Sequence, residues 1–402
     1  MLRPGSLALT LLLSMLTGLG PLSMDMYLAS LPSIGRLLGA PTSQVQLTIS
    51  AYLVGFAIAQ VFYGPLSDRH GRRPVLIVAL GIYLLATLAC ALAFSIETLI
   101  AARCLQAVGG SGASVLARAV VRDMYEGTRI GRELARMAAI MALAPLVAPL
   151  IGGVLETAFG WRSNFVLLFV FCSAAWVMVW FLLPETVRQR APEPVSITST
   201  LRSYRRFLGD SSFVIHLGIA TCCLCGLFAW ISSAAFVIQD IYGLSALAFG
   251  IAFAVGSSGY MVGTTIAARF VMRWGSGPTM GLGTAAMALG GLGVVLVLAF
   301  TPFGAFGAFG VIAAIGLYLI GMGMTLAQAQ AGALLPYPDR AGAASSLLGF
   351  TTQTLSAVVG AILGHTLGST AWPLAIAMML AGGLSLLLWA FSRNMRAGLR
   401  LS

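Results

Sequence analysis

The chain has 402 residues, 59% of them hydrophobic and only 9% charged, with a net charge of +11. Soluble domains carry about 25% charged residues, so a water-soluble fold of this length is excluded. The positive charge does not point to nucleic acid either, because the basic residues mark loops instead of one amphipathic face.

Apolar segments long enough to cross a ~30 Å hydrocarbon core recur from end to end. Helices are predicted at 6–30, 44–66, 74–95, 98–121, 134–155, 164–184, 212–238, 247–271, 279–300, 305–333, 341–364 and 371–392. Arg3 followed by Leu7–Leu13 has the outline of a signal peptide. The apolar stretch runs on to Tyr27 with no small-x-small cleavage site, so it reads as a retained first helix.

Asp25 lies late in this first span, seven residues before Pro32. That places it ~10 Å below the outer boundary at ~1.5 Å per residue. An ionisable residue inside an apolar span is expensive and marks a functional site by default. A carboxyl there is poised to gain and lose a proton, which a proton carrier must do.

Residues 64–74 read Gly-Pro-Leu-Ser-Asp-Arg-His-Gly-Arg-Arg-Pro between two apolar runs. Each of those charges would cost several kcal/mol in hydrocarbon, so the expectation is a tight loop. Gly64 and Gly71 supply turn geometry and close approach, and Asp68 would face the positive end of a helix.

Arg103, in the fourth span, follows Glu97 by six residues and so sits at about the depth of Asp25. An Arg beside Asp25 would pair with its anion and be freed when Asp25 takes up a proton. Arg118, Arg122 and Asp123 lie at the inner end of the same span. The fifth span contains Ala-Pro145-Leu-Val-Ala-Pro149-Leu-Ile-Gly152-Gly153. Pro interrupts helical hydrogen bonding and Gly lets helices approach closely. Glu97, Glu156 and Asp240 lie near the outer boundary and read as solvated caps.

The longest polar segment, 185–211, holds Glu185, Arg188, Arg190, Pro192, Pro194, Arg202, Arg205 and Arg206. It divides the chain into a first six-helix bundle, 1–184, the linker 185–211 and a second bundle, 212–402. Arg69 and Arg73 recur 200 residues on as Arg269 and Arg273, with Ala268 in place of Asp68. All 23 basic residues are Arg, and only Arg36, Arg103 and Arg162 fall away from one side. The positive-inside rule then puts both termini in the cytoplasm.

Cys90, Cys104, Cys172, Cys222, Cys223 and Cys225 all fall inside apolar runs and read as small buried hydrophobes. His70, His216 and His365 are scattered, with no metal-ligand spacing. No nucleotide-binding loop or catalytic cluster is present, so no cofactor, metal, ATP or enzymatic activity is expected. The expected partners are a small-molecule substrate, protons and the lipid bilayer, and a monomer is expected. Candidate substrate-cavity residues are Met24, Met26, Tyr27, Tyr52 and Gln106, with Phe228, Trp230, Gln328 and Gln353. Met and aromatic side chains suit a loose site for varied apolar compounds.

Three strings carry a resemblance. Gly64, Leu66, Ser67, Asp68, Arg69, Gly71, Arg72 and Arg73 match G-x-L-[S/A]-D-R-x-G-R-[R/K], a motif of the major facilitator superfamily. Arg103 with Gln106 and Gly109 resembles its helix 4 motif, and Pro149, Gly152 and Gly153 resemble the antiporter pattern G-P-x-x-G-G, with Ala148 for the first Gly. The resemblance implies an all-α, polytopic fold of two six-helix bundles with pseudo-two-fold symmetry. It implies that the 64–73 motif is a conformational latch, with partners at Arg118, Arg122 and Asp123, and it supports an Asp25–Arg103 pairing. Asp25-Met-Tyr-Leu-x-x-Leu-Pro32, Gly71-Arg-Arg-Pro74 and Tyr337-Pro-Asp-Arg-Ala-Gly-Ala-Ala-Ser-Ser346 resemble the bicyclomycin/chloramphenicol resistance branch. That branch implies proton-coupled drug efflux across a bacterial inner membrane. The alternative is an exporter or importer of a small metabolite, such as an amino acid or sugar, on the same fold.

Overall fold

A computed structural model of the chain describes residues 6–125, 128–141, 143–187, 204–301, 304–337, 341–368 and 370–398. The described residues form helices and turns, with no strand among them. The chain divides into two compact units, Met1–Val195 and Ser196–Ser402.

The first unit contains α1 (Leu7–Asp25), α2 (Leu31–Leu38), α3 (Thr42–His70), α4 (Arg72–Ala91), α5 (Ile96–Met124), α6 (Thr128–Met141), α7 (Ala144–Phe159) and α8 (Arg162–Leu182). The second contains α9 (Ser211–Ala235), α10 (Ala246–Trp274), α11 (Ser276–Phe300), α12 (Gly304–Leu334), α13 (Ala341–Thr366) and α14 (Trp372–Gly398). Eleven helical stretches among the described residues are long and apolar enough to cross a membrane. Their outer faces are large and apolar, as at Leu85, Phe181 and Leu387. Such faces are stable only in lipid, and the chain is a multi-pass membrane protein.

Three elements differ from the sequence expectation. First, the span 6–30 is not one helix. Pro32 has no N–H to donate, and the chain passes through a tighter turn, Tyr27–Ser30, between α1 and α2. Second, the span 134–155 is two helices, α6 and α7. Pro145 falls in the first turn of α7, where a missing N–H costs nothing. Third, the charged run 64–74 is not a loop. α3 continues to His70 and α4 begins at Arg72, leaving Gly71 alone between them at φ +101°. Gly275, at φ +83°, makes the same kind of break between α10 and α11, so Arg269 and Arg273 lie at a helix end as well.

In lipid, helices associate by close packing instead of by burying apolar surface from water. α1 is the hub of its unit and packs against α5, α6, α7 and α8. In the second unit, α11 packs against both α12 and α14, and a side chain at Gly291 would come 2.7 Å from the Met378 carbonyl oxygen.

The linker residues Arg188, Arg190, Pro192, Pro194 and Arg202 lie outside the described residues, as do Arg3, Asp339 and Arg340. Where the chain is described again, Phe207 is buried against Tyr337 (ring centroids 4.6 Å) and Phe213 (5.4 Å). Asp210 caps α9 by accepting from the Ser212 N–H at 2.8 Å, and it also accepts from the Tyr337 hydroxyl. That hydroxyl holds the Asp210 carboxyl below the usual carboxylate range. A depressed carboxyl contributes stability above its unfolded pKa of about 3.9 and loses it as pH falls through the folded value. Tyr337→Phe keeps the rings and deletes the bond. It is expected to cost about 1 kcal/mol at neutral pH, read as a lower melting temperature in detergent, and the difference should vanish in acid.

Candidate functional site

Arg103 is fully buried, and no carboxylate pairs with it among the described residues. Its guanidinium lies between two rings, 4.6 Å from the centroid of Tyr27 and 4.4 Å from that of Tyr52. Nη1 donates to the Ser23 carbonyl at 3.0 Å and to Gln106 Oε1 at 2.7 Å. Gln106 donates in turn to the Thr87 hydroxyl at 2.8 Å. The effective cost of burying an unpaired ion is several kcal/mol. A desolvated cation–π contact returns about 2 kcal/mol, and a hydrogen bond from a charged group about 1.5–3 kcal/mol. Two rings and two acceptors, both on Nη1, hold the cation without an anion, and Nε and Nη2 have no hydrogen-bond partner among the described residues. Tyr27, Tyr52 and Gln106, expected among the substrate-cavity residues, surround the guanidinium.

The expected Asp25–Arg103 ion pair is absent. Helix phase gives the reason. The Ser23 hydroxyl lies 2.5 Å from the Tyr83 hydroxyl on α4, so that side of α1 faces α4. Two residues turn an α-helix by about 200°, so Asp25 does not share the face on which Ser23 meets Tyr83. Asp25 is buried, with only 5% of its surface exposed, and no hydrogen bond or ion pair joins it to another described residue. It is the last residue of α1, and the buried Met24 and Met26 flank it.

The break after Asp25 rests on α7. A Cβ on Gly152 would overlap the Met26 carbonyl oxygen, so only Gly lets α7 approach the turn. One helical turn on, Glu156 accepts from the Ser30 hydroxyl, which itself accepts from Asn164 Nδ2 at 2.9 Å. Glu156 is thus half-buried in a network, not a solvated cap. Gly153 and Pro149 are buried in α7, and Pro145 starts it.

At the opposite end of the unit, Arg72 joins Asp68 on α3 at 2.5 Å and Asp123 on α5 at 2.9 Å. Asp123 also accepts from the Thr186 hydroxyl at 3.0 Å. Glu185, expected only as part of the linker, caps α4: its carboxylate accepts from the backbone N–H of Arg72 at 2.9 Å and of Arg73 at 3.3 Å. Arg73 donates to the Trp180 carbonyl in the last turn of α8. Of the three partners expected on α5, Asp123 alone joins this cluster, while Arg118 and Arg122 are exposed and make no described contact with it. Arg69 is exposed too, and nothing within its unit crowds Gly64.

These features fit one family. The chain matches the Major Facilitator Superfamily over residues 13–361. It belongs to that superfamily. As a member it is a transporter and not an enzyme. It is 35% identical over 362 residues to the uncharacterized MFS-type transporter YdgK of Bacillus subtilis, with 89% of each chain covered. It is 31% identical to multidrug resistance protein D of Escherichia coli, covering 97% of this chain and 96% of that one. Identity to a bicyclomycin resistance protein homolog of Haemophilus influenzae is 28%, over 96% and 97% of the two chains. These are relatives of the branch to which the three strings pointed. The fold matches the xylose transporter XylE from E. coli with a TM-score of 0.74 at 14% identity, covering 96% and 97%.

In the second unit of this major facilitator, Trp230 is buried and stacks on Phe253 at 5.8 Å. Phe228, Gln328 and Gln353 are half-buried, and no described contact brings them together. Cys222, Cys223 and Cys225 are free thiols, and the Cys223 thiol lies 3.7 Å from the Met287 sulfur. No group of three or more metal-ligating side chains occurs among the described residues.

The sequence does not single out Ser23, Thr87 or Asn164, and it gives Glu156 and Glu185 other roles than the structure does. Ser23 and Thr87 had a signal, since each is polar inside an apolar span. Gly152→Ala forces the turn after Asp25 off α7 and is expected to cost about 1–3 kcal/mol, as overpacking does. Gly64→Ala, in open space, should cost little. Melting temperatures of the two variants in detergent check the contrast.

Proposed function

We propose that this major facilitator is a proton-coupled exporter of small amphipathic drugs, working by alternating access. Its relatives carry resistance names over nearly the whole chain. The observation that carries the coupling is Asp25, a buried carboxyl with no described partner at a helix break. An anion there has nothing to stabilise it, so its cheapest neutralisation is a proton.

In this reading both termini are cytoplasmic, the membrane is a bacterial inner membrane and the transporter is a monomer. The distribution of Arg supports that orientation. Protons enter from the periplasm, neutralise Asp25 and release the drug outward; deprotonation toward the cytoplasm resets the cycle. Arg103 holds the end of α1 through the Ser23 carbonyl instead of pairing with Asp25. The cluster of Asp68, Arg72, Arg73 and Asp123, with Gly71 at its turn, acts as a conformational latch and not as a substrate site. Met24, Met26, Phe228, Trp230, Gln328 and Gln353 remain the substrate contacts of this proposal.

The test is drug uptake by inverted vesicles energised with a pH gradient. Wild type should accumulate drug and lose it on addition of a protonophore, while Asp25→Asn should fold and accumulate none. Retained uptake by Asp25→Asn removes Asp25 as carrier. Absence of gradient-driven movement by wild type across a varied compound panel favours a metabolite substrate. Arg103→Ala should shift the pH dependence of substrate binding, and an unchanged profile makes Arg103 a purely structural residue.

A further inference from the structure

We propose that the groove between α3 and α4 is a binding site for an anionic phospholipid: one acyl chain fills the groove, and the phosphate meets Arg69 at its mouth.

The groove follows from how three helices meet. Gly71 alone joins α3 to α4, which holds the two helices together at that end. Beyond the turn, each packs on α5 more than on the other. Glycines of α5 allow this close approach. A Cβ on Gly112 would come 2.7 Å from the Tyr63 ring of α3 and 2.7 Å from the Ala79 side chain of α4. With α5 seated behind them, α3 and α4 leave a cavity of ≈ 500 Å³. Phe62 and Leu66 of α3, Val78 of α4 and Val108 of α5 line it. His70 and Pro74 border the Gly71 end, and Ala59 and Ile82 lie at the far end.

The lining selects hydrocarbon. Apart from His70 and the Tyr63 hydroxyl, its side chains are apolar. A bound water needs two to four polar partners, which this wall does not offer. Phe62 and Val78 are exposed, so the cavity opens on the lipid-facing side of a membrane protein. His70 and Ala59 are eleven residues apart on α3, which is ~16 Å at ~1.5 Å per residue. That is about half of the ~30 Å hydrocarbon core, the depth reached by a chain from one leaflet.

Charge appears at the Gly71 end, where the chain meets its headgroup. Phe62, Leu66 and Arg69 are spaced i, i+4, i+7 and share one stripe of α3. Arg69 is exposed and makes no ion pair with another described residue. The charges around it are engaged elsewhere. Arg72 holds Asp68 and Asp123, Arg73 donates to the Trp180 carbonyl, and Glu185 caps α4. The His70 ring donates through Nδ1 to the Leu66 carbonyl at 3.0 Å, which holds it on the same stripe. Arg69 is the cation left for a phosphate, and a guanidinium grips phosphate with two parallel hydrogen bonds. A zwitterionic headgroup brings its own cation and gains less from this site. A chain seated here touches both helices that meet at Gly71 and braces their turn.

The full-length protein is delipidated in detergent and offered equal amounts of palmitoyl-oleoyl phosphatidylglycerol and palmitoyl-oleoyl phosphatidylethanolamine, and native mass spectrometry counts what stays bound. Wild type should retain one phosphatidylglycerol in preference to phosphatidylethanolamine. Arg69→Gln should lose that preference, and Val78→Trp, which fills the groove, should cut retention of both lipids several-fold. Phosphatidylglycerol carrying a photoreactive diazirine in its chain checks the site in the unmutated protein. Its adducts should concentrate on residues 59–82. Retention in Val78→Trp equal to wild type, or adducts spread evenly over outer faces such as those of Phe181 and Leu387, overturns the groove as the site. An undiminished preference in Arg69→Gln overturns the assignment of the headgroup.

Discussion

A fully buried guanidinium held between two tyrosine rings without a carboxylate sets the arrangement of the first unit. Two tyrosine rings, a backbone carbonyl and a glutamine surround Arg103. Ser23 accepts from Arg103 through its carbonyl and meets Tyr83 through its hydroxyl, and Asp25, two residues on, makes no ion pair with the guanidinium. An arginine that did pair with Asp25 would make the anion comfortable and the proton unnecessary. Keeping the two apart leaves a carboxyl whose charge nothing else balances.

The same unit shows how a helix is broken on purpose and then held. Pro32 ends regular hydrogen bonding, the chain tightens through Tyr27–Ser30, and Gly152 lets α7 close on the Met26 carbonyl. The glycine pattern of α7 and the carboxyl of α1 thus belong to one structural feature. At the other end, three carboxylates (Asp68, Asp123 and Glu185) gather around Arg72 and the start of α4. This cluster is partly exposed, Asp68 most of all, and the latch proposed for it needs contacts that can be made and broken.

Much of this was legible in the sequence, and the failures have physical causes. Apolar length alone located eleven of the twelve expected spans, because hydrocarbon thickness is a hard constraint. The fifth failed because length does not register a proline that starts a helix. The run 64–74 suggests a loop because its charges cannot lie in hydrocarbon, yet a helix can carry charges past the membrane surface, as α3 does to His70. Burial of Asp25 and Arg103 followed from their positions, but their pairing did not. Depth along a helix is readable from residue counts, whereas its phase depends on partners such as Tyr83 that only the packed helices bring together. Glu156 and Glu185 were misjudged for the same reason, since their partners lie more than a hundred residues away in sequence.

The central claim is that Asp25 holds the coupled proton. It is tested most directly by adding a transported drug to the detergent-solubilised protein in weakly buffered solution and following proton release with an indicator dye. The account predicts that wild type releases protons as drug binds, and that Asp25→Asn binds the drug and releases none. Equal release from Asp25→Asn would contradict it, and would move the coupled proton to another group.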